Sequence, residues 1–351
     1  MQLKKIRQEI DILDSKIIKL LNDRMEQAIL ARKLKNEIED PEREKEILES
    51  LRSNSLGLIS PEFCEELFVK IIAESKRLQK VSSQVIGFQG EHGAYSEVAA
   101  HIWDKELIPI PCPDFVDVFN SVESGLFDFG IVPVENTLGG VIGQVNDLII
   151  NTKLYVYGAV ELLVTHCLMT LPGADHRDIR TVYSHPQALA QCKYFLARNK
   201  LEAVSYYDTA GAARMLSEKR LKGTAAIASQ LAGQLYNLEI LRENIEDLDN
   251  NHTRFVVISK KPFEGQGDKC SILFSTAHKA GTLFSVLELF AKGNINLSRI
   301  ESIPSKPGNY VFFLDFIGSL QDERVQNVLE GVKAITSDMR MMGCYNEIKS
   351  D

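Results

Sequence analysis

From Leu3 to about Ile38 the chain runs without a glycine or proline and returns an apolar residue at helical spacing: Ile6, Ile10, Leu13, Ile17, Leu20, Leu21. This pattern predicts one helix of about 50 Å, far above the usual globular length. Asp40-Pro41 then supplies an N-cap and a first-turn proline for a short helix through Leu51. Ser60-Pro61, followed by Glu62, Glu65 and Glu66, opens a third helix the same way, with acid at its positive end. Three helices, one of them very long, cannot cover the long one's apolar stripe alone. The expectation is an all-α domain over residues 1–81, intertwined with a second copy of itself.

Composition changes sharply where these helices end. Residues 1–80 hold 16 basic and 16 acidic side chains but only one glycine, Gly57, of the 22 in this 351-residue chain. The net charge of −8 therefore arises downstream, and a domain boundary is expected near Val81-Ser82-Ser83. A second polar, turn-forming stretch runs from Lys260 to Asp268. No apolar run approaches the roughly 18–20 residues of a membrane span, and the first residues lack a signal-peptide core. The six cysteines are scattered, with no C-x-x-C and no His pair at zinc spacing. They read as reduced thiols of a cytoplasmic protein, with no metal site. An acidic chain is also a poor candidate for nucleic acid.

The residues that interrupt the apolar stripe carry the functional signal. At about 100° per residue, Arg24 and Lys35 fall within the arc of Ile10, Leu13, Ile17 and Leu20, and Arg7 lies just off its edge. In the third helix Phe63, Leu67, Ile71, Ser75 and Leu78 share a face, with Gln79 one turn after Ser75. Arg43 and Glu44 precede Ile47, Leu48 and Leu51 and can turn inward. Any one of these alone reads as a side chain snorkelling at the rim. Several cations directed into one bundle need anions, and the nearby acids are too few and misplaced. An anionic ligand would supply the charge.

This segment resembles the all-helical chorismate mutases. Arg7, Arg24 and Lys35 match that family's first-helix cations; Asp40, Arg43 and Glu44 match its Asp-x-x-Arg-Glu, and Ser75 with Gln79 its Ser-x-x-x-Gln. The resemblance implies that Arg24 and the partner subunit's Arg7 clamp the carboxylates of chorismate. It also implies that Lys35 and Gln79 donate to the ether oxygen, that Glu44 accepts from the substrate hydroxyl, and that Asp40, Arg43 and Ser75 complete the binding set. The rearrangement to prephenate is unimolecular and needs only a compact conformer and charge stabilisation at the ether oxygen.

Residues 84–260 alternate strand-like segments (Val85–Gln89, Phe129–Val134, Leu154–Val164, Thr181–Ser184, Val204–Tyr207, Ala225–Ala228 and Phe255–Ser259) with helical patterns. This is α/β logic, with ligands expected at the carboxyl ends of strands. No G-x-G-x-x-G, Walker loop, H-E-x-x-H or G-x-S-x-G occurs. Three loops stand out: Glu135-Asn136-Thr137, Ser184-His185-Pro186-Gln187 with Gln191, and Thr253-Arg254-Phe255. Singly, the first two read as helix caps and Thr253 as a strand-edge threonine. Together with Gly87-Phe88-Gln89-Gly90 and Gly93-Ala94-Tyr95-Ser96 they resemble prephenate dehydratase. That resemblance implies two α/β lobes, like type II periplasmic binding proteins, around a cleft. It implies a cofactor-free decarboxylative dehydration in which Thr253 assists the leaving hydroxyl, and Glu135, Asn136, Ser184 and Gln191 hold prephenate.

Residues 269–345 read strand, helix, two strands, helix, strand, an α+β order of ferredoxin type. They resemble the ACT regulatory domain, with Gly281-Thr282-Leu283-Phe284 and Glu301-Ser302-Ile303-Pro304 in the positions of its effector motifs. Ile303 stands where that family carries Arg. The resemblance implies L-phenylalanine bound by Gly281, Thr282, Leu283, Phe284, Glu301 and Ser302 at a subunit interface, in a homodimer or higher homo-oligomer. The competing reading is a ligand-sensing regulator without catalysis. It lacks a basic recognition helix in the first domain and leaves Thr253 and the Arg7, Arg24 and Lys35 set without a purpose.

Overall fold

The computed structural model describes residues 2–35, 37–54, 57–81, 83–276, 279–304 and 310–350, and it separates into two compact units, Met1–Gln84 and Val85–Asp351. Ser82, in the expected boundary, lies outside the described residues.

The first unit is three helices, α1 (Gln2–Leu34), α2 (Pro41–Asn54) and α3 (Pro61–Lys80). α1 stops short of Ile38 because Arg32 Nη1 donates back to the Lys35 carbonyl at 2.8 Å and ties off the helix end. Asp40 Oδ1 accepts from the Arg43 amide at 3.1 Å, and Ser60 Oγ from the Phe63 amide at 3.2 Å, so both expected caps form. α3 packs on the second half of α1, where Ile29, Ile71, Ile72 and Ser75 are buried. Along the first half Ile6, Ile10, Leu13, Ile17 and Leu20 are each half exposed or more. Within one chain, that stripe is uncovered.

The second unit begins with an α/β lobe: β1 (Val85–Gln89), α4 (Tyr95–Trp103), β2 (Ile108–Cys112), α5 (Phe115–Ser124), β3 (Phe129–Asn136), β4 (Gly140–Val141), α6 (Gly143–Asn151) and β5 (Tyr155–Leu163). A second lobe follows with β6 (Cys167–Thr170), β7 (Thr181–Ser184), α7 (Pro186–Gln191), α8 (Lys193–Arg198) and β8 (Glu202–Ser205). It ends with α9 (Thr209–Lys219), β9 (Thr224–Ala228), α10 (Gln230–Leu235) and β10 (Glu239–Arg242). β11 (His252–Ser259) then returns to the first lobe and inserts between β5 and β3, antiparallel to both. The second lobe's five strands run β10-β6-β9-β7-β8. At the two crossings between lobes the Val164 amide donates to the Asn251 carbonyl at 2.8 Å, and the Ile245 amide to the His166 carbonyl at 3.1 Å. The crossings therefore lie side by side and form the floor between the lobes.

The C-terminal part is β12 (Lys269–Thr276), α11 (Thr282–Lys292), β13 (Leu297–Pro304), β14 (Tyr310–Ile317), α12 (Glu323–Ile335) and β15 (Asp338–Tyr345). Its antiparallel sheet, ordered β13-β14-β12-β15, buries Ile272, Phe274, Val286, Phe290, Leu314 and Val328 under the two helices. A last short strand, β16 (Glu347–Lys349), leaves this sheet and pairs with β5 of the first lobe.

Candidate active sites

In the helical unit the structure brings together most of the residues singled out above. Arg24 Nη1 donates to Ser75 Oγ at 2.6 Å. Burial pulls the Arg24 guanidinium below its ordinary pKa, the sign of a cation directed inward rather than into solvent. Lys35 Nζ sits 3.5 Å from Asp40 Oδ2, and Glu44 is held at 3.0 Å by Lys76. Gln79 Oε1 is buried with no hydrogen-bond partner among the described residues, an acceptor that a water or a bound donor would satisfy. Arg43 instead lies on the outer face, paired with Glu46 at 2.8 Å. Arg7 is exposed and seventeen residues before Arg24 on the same helix, about 25 Å away. No fold of one chain closes that distance.

The second site is the cleft between the two lobes, a cavity of about 450 Å³. The first lobe contributes Gln89, Tyr95, Ser96, Pro133 and Asn136; the crossings contribute Val164, His166 and Asn251; β11 contributes Thr253 and Phe255. The second lobe closes it with His185, Gln187, Gln191, Tyr207, Asp208 and Thr209. Among the described residues lining it, none is Lys or Arg.

One hydrogen-bonded chain runs through this cleft. Asn136 Nδ2 donates to Thr253 Oγ1 at 2.8 Å and to Asn251 Oδ1 at 2.7 Å. Asn251 Nδ2 donates to Gln191 Oε1 at 3.2 Å, and His166 Nε2 lies 2.7 Å from the same oxygen. Gln191 Oε1 is thus the junction of two branches, one from Asn251 and one from His166. His166 Nδ1 in turn meets the Tyr95 hydroxyl at 2.7 Å. Burial pulls the His166 imidazole below its ordinary value, against the opposing pull of Gln191 and Glu246. The consequence for Thr253 is specific. Its oxygen is occupied as an acceptor, so its own proton is free to point into the cavity.

The backbone explains why these residues meet. Asn136 and Thr253 are cross-strand partners on β3 and β11. Asn136 Oδ1 also accepts from the amides of Leu138 and Gly139, at 3.0 and 2.6 Å, which fixes the side chain. A Cβ on Gly139 would stand 2.3 Å from Gln187 Nε2, so a larger residue here would push the Gln187 side chain of the second lobe aside. His185 caps α7 by accepting from the Gln187 amide at 3.3 Å, with Pro186 in the first turn.

Two expectations are corrected. Ser184 is fully buried and donates to the Ile227 carbonyl at 2.6 Å, closing the ladder between β7 and β9 instead of lining the cleft. Glu135 faces away from the cleft, because strand alternation puts it on the opposite side of β3 from Asn136. It lies 3.9 Å from Arg254 and 3.6 Å from Arg299. The sequence reading missed His166 and Asp208. Asp208 caps α9 through Gly211 at 2.7 Å while burial pushes its carboxyl up. A lone histidine at a lobe crossing carries no motif that would flag it.

In the C-terminal part, Gly281, Thr282, Leu283 and Phe284 line a cavity of about 350 Å³ with Lys279, Tyr310 and Phe312. Gly281 has φ +89°, a left-handed conformation that favours glycine. Glu301 and Ser302 do not line this cavity within one chain.

Comparison with known proteins places both units. Residues 6–80 match the family model for chorismate mutase type II, and residues 86–263 that for prephenate dehydratase. The chain is 35% identical to the bifunctional chorismate mutase/prephenate dehydratase of Aquifex aeolicus, over 98% of each chain. It is 41% identical to a chloroplastic arogenate dehydratase of Arabidopsis thaliana, over 74% of this chain and 66% of that protein. A prephenate dehydratase of Arthrobacter aurescens, solved with L-Phe bound, superimposes with a TM-score of 0.69 at 29% identity. The match covers 75% of this chain and 89% of that one.

Proposed function

Since the chain belongs to the bifunctional chorismate mutase/prephenate dehydratase family, we propose that it rearranges chorismate to prephenate in its helical unit and converts prephenate to phenylpyruvate in its interlobe cleft. The observation that carries the second step is the Asn136–Thr253 pair, which turns the threonine proton toward bound substrate. Dehydration breaks the bond between the ring and its carboxylate, releasing CO2; that electron pair aromatises the ring and expels the hydroxyl at the opposite carbon. A donor at the departing oxygen lowers this barrier. Gln191 and Asn251 supply neutral donors for the carboxylates, while Asn136, whose two N–H groups go to Asn251 and Thr253, orients them. A tight cationic clamp on the ring carboxylate would stabilise the very charge that decarboxylation disperses.

The helical unit uses the opposite chemistry. Arg24 grips one carboxylate, Lys35 and Gln79 donate to the ether oxygen, and Glu44 accepts from the hydroxyl. Asp40 holds Lys35 and Ser75 holds Arg24, while Arg43, on the outer face, is left outside this set. The uncovered stripe of α1 supports a paired dimer, in which the partner subunit's Arg7 completes the clamp. The fold of the C-terminal part supports an ACT role. L-phenylalanine held at Gly281–Phe284, with Glu301 and Ser302 of a neighbouring copy, would inhibit dehydration, in keeping with the L-Phe complex of the Arthrobacter relative.

The test is direct. Purified protein should consume chorismate and, given prephenate alone, form phenylpyruvate, with the second activity falling as L-phenylalanine is added. Silence on both substrates would leave the sensor reading standing.

A further inference from the structure

The β3–β11 ladder has two working faces. Thr253 pairs with Asn136 and Arg254 with Glu135; alternation sends the first pair into the cleft and the second toward the C-terminal domain. Arg254 is 6% exposed. Its Nη1 lies 2.5 Å from Asp315 Oδ2 on β14, its Nε 2.6 Å from Glu347 on β16, and its Nη2 donates to Tyr345 Oη on β15 at 3.0 Å. Asp315, which is fully buried, also accepts from Ser271 Oγ. Glu347 is shared with Lys269 at 2.7 Å. Thus the residue next to the cleft threonine makes two of its three side-chain bonds to the sheet of the domain that carries the Gly281 cavity, and the third to the strand that follows that sheet in the chain.

A second arginine comes back the other way. Arg299, on β13 two residues before Glu301, donates to Asn146 Oδ1 of α6 at 2.9 Å and lies 3.6 Å from Glu135. Its Nε and Nη1 are buried without a hydrogen-bond partner among the described residues. Glu135 therefore stands between the two arginines, one residue from Asn136. Buried ion clusters of this kind are weak sources of stability but strong constraints on position, because moving one member leaves another charge unpaired.

We propose that Arg254 is a positioning residue for the dehydration step, held by Asp315 and Glu347, and that this cluster carries the state of the C-terminal domain to Thr253. A shift of the C-terminal sheet must either drag Arg254, and with it the β11 backbone at Thr253, or break a buried ion pair. Two discrete arrangements of the cluster, differing in effector affinity, are what a ligand bound near Gly281 needs to alter turnover. The inference rests on the cleft being the dehydratase site.

The experiment uses the full chain carrying Glu347→Gln or Asp315→Asn, assayed for both activities with and without L-phenylalanine. Glu347→Gln keeps shape and hydrogen bonding at the less buried partner, and circular dichroism reports whether each variant folds. The expected result is a drop in dehydratase kcat on the order of tenfold to a hundredfold, the scale of a small misplacement of a reacting group. KM and chorismate consumption should stay near wild type. L-phenylalanine should still bind by calorimetry but change turnover by a smaller factor than in wild type. A folded Glu347→Gln chain with wild-type kcat and wild-type inhibition overturns the proposal, whatever becomes of Asp315→Asn. A wild-type chain inert on prephenate overturns the reading of the cleft itself, and this inference with it.

Discussion

The helical unit and the interlobe cleft handle anionic ligands by opposite means. The first presents guanidinium and ammonium groups along its helices, and under the proposed function it needs a second copy, since Arg7 and Arg24 lie on one helix about 25 Å apart. The second encloses neutral amides and a hydroxyl in one hydrogen-bonded chain, complete within a single copy, with no Lys or Arg among its described lining residues. The difference follows from the chemistry each supports. A rearrangement that keeps both carboxylates gains from full charge pairing. A reaction that discards one as CO2 gains from holding it by dipoles.

Four experiments break or sharpen this contrast. The largest effect is expected for Arg24→Ala, which should remove about 3–4 kcal/mol of transition-state stabilisation, the typical worth of such an electrostatic group. Chorismate turnover should all but vanish, while dehydration of added prephenate is unchanged. Loss of both activities in a folded variant would break the separation of sites. Thr253→Ala should cut dehydratase kcat on the order of a hundredfold and spare the mutase, with Thr253→Ser restoring much of the rate because it keeps the hydroxyl. Equal rates for Ala and wild type would reduce Thr253 to a strand residue.

Smaller effects are expected away from the chemistry. Gly281→Ala forces a side chain into φ +89°, costing about 1–2 kcal/mol. A thermal scan should show the midpoint lowered by a few degrees, and calorimetry weaker L-phenylalanine binding. The smallest effect is in pH. Burial holds the folded-state pKa of His166 below its ordinary 6.5, so the neutral form is favoured on folding. The stability this contributes is full above 6.5 and is lost as pH falls from there toward the depressed value. Denaturant midpoints measured from pH 8 downward should fall through that window, and less steeply in His166→Gln. Identical slopes would remove His166 from the list of buried neutral groups.

Much of this was legible in the sequence, and what was not has identifiable causes. The strand Thr181–Ser184 and the strand, helix, two strands, helix, strand order of the C-terminal part lie where hydrophobic period and turn residues put them. β2 was missed because Pro109 and Pro111 argue against a strand; it survives as the edge of its sheet, where missing donors go unnoticed. β6 was missed because no glycine or proline separates it from β5, so one apolar run hides a change of lobe. In the cleft, Asn136, Gln191 and Thr253 stood out through the motifs that hold them. Glu135 and Ser184 were assigned there by motif proximity. The two-residue period already forbids Glu135 and Asn136 from facing the same way. His166 owes its place to the meeting of two crossings distant in sequence, which no local pattern records.

The insertion of β11 between β3 and β5 also fixes when this chain can become active. Both neighbours are synthesised well before it, and the entire second lobe intervenes, so an emerging chain must carry two unpaired strand edges until residue 252 and those after it have left the ribosome. Long-range pairing of this kind is slow, and open edges invite association with other chains. The strand that removes this hazard is the one that carries Thr253. A chain truncated before it has neither a closed sheet nor Thr253, so, with Thr253 in its proposed role, dehydratase activity serves as its own report that the first lobe has finished folding.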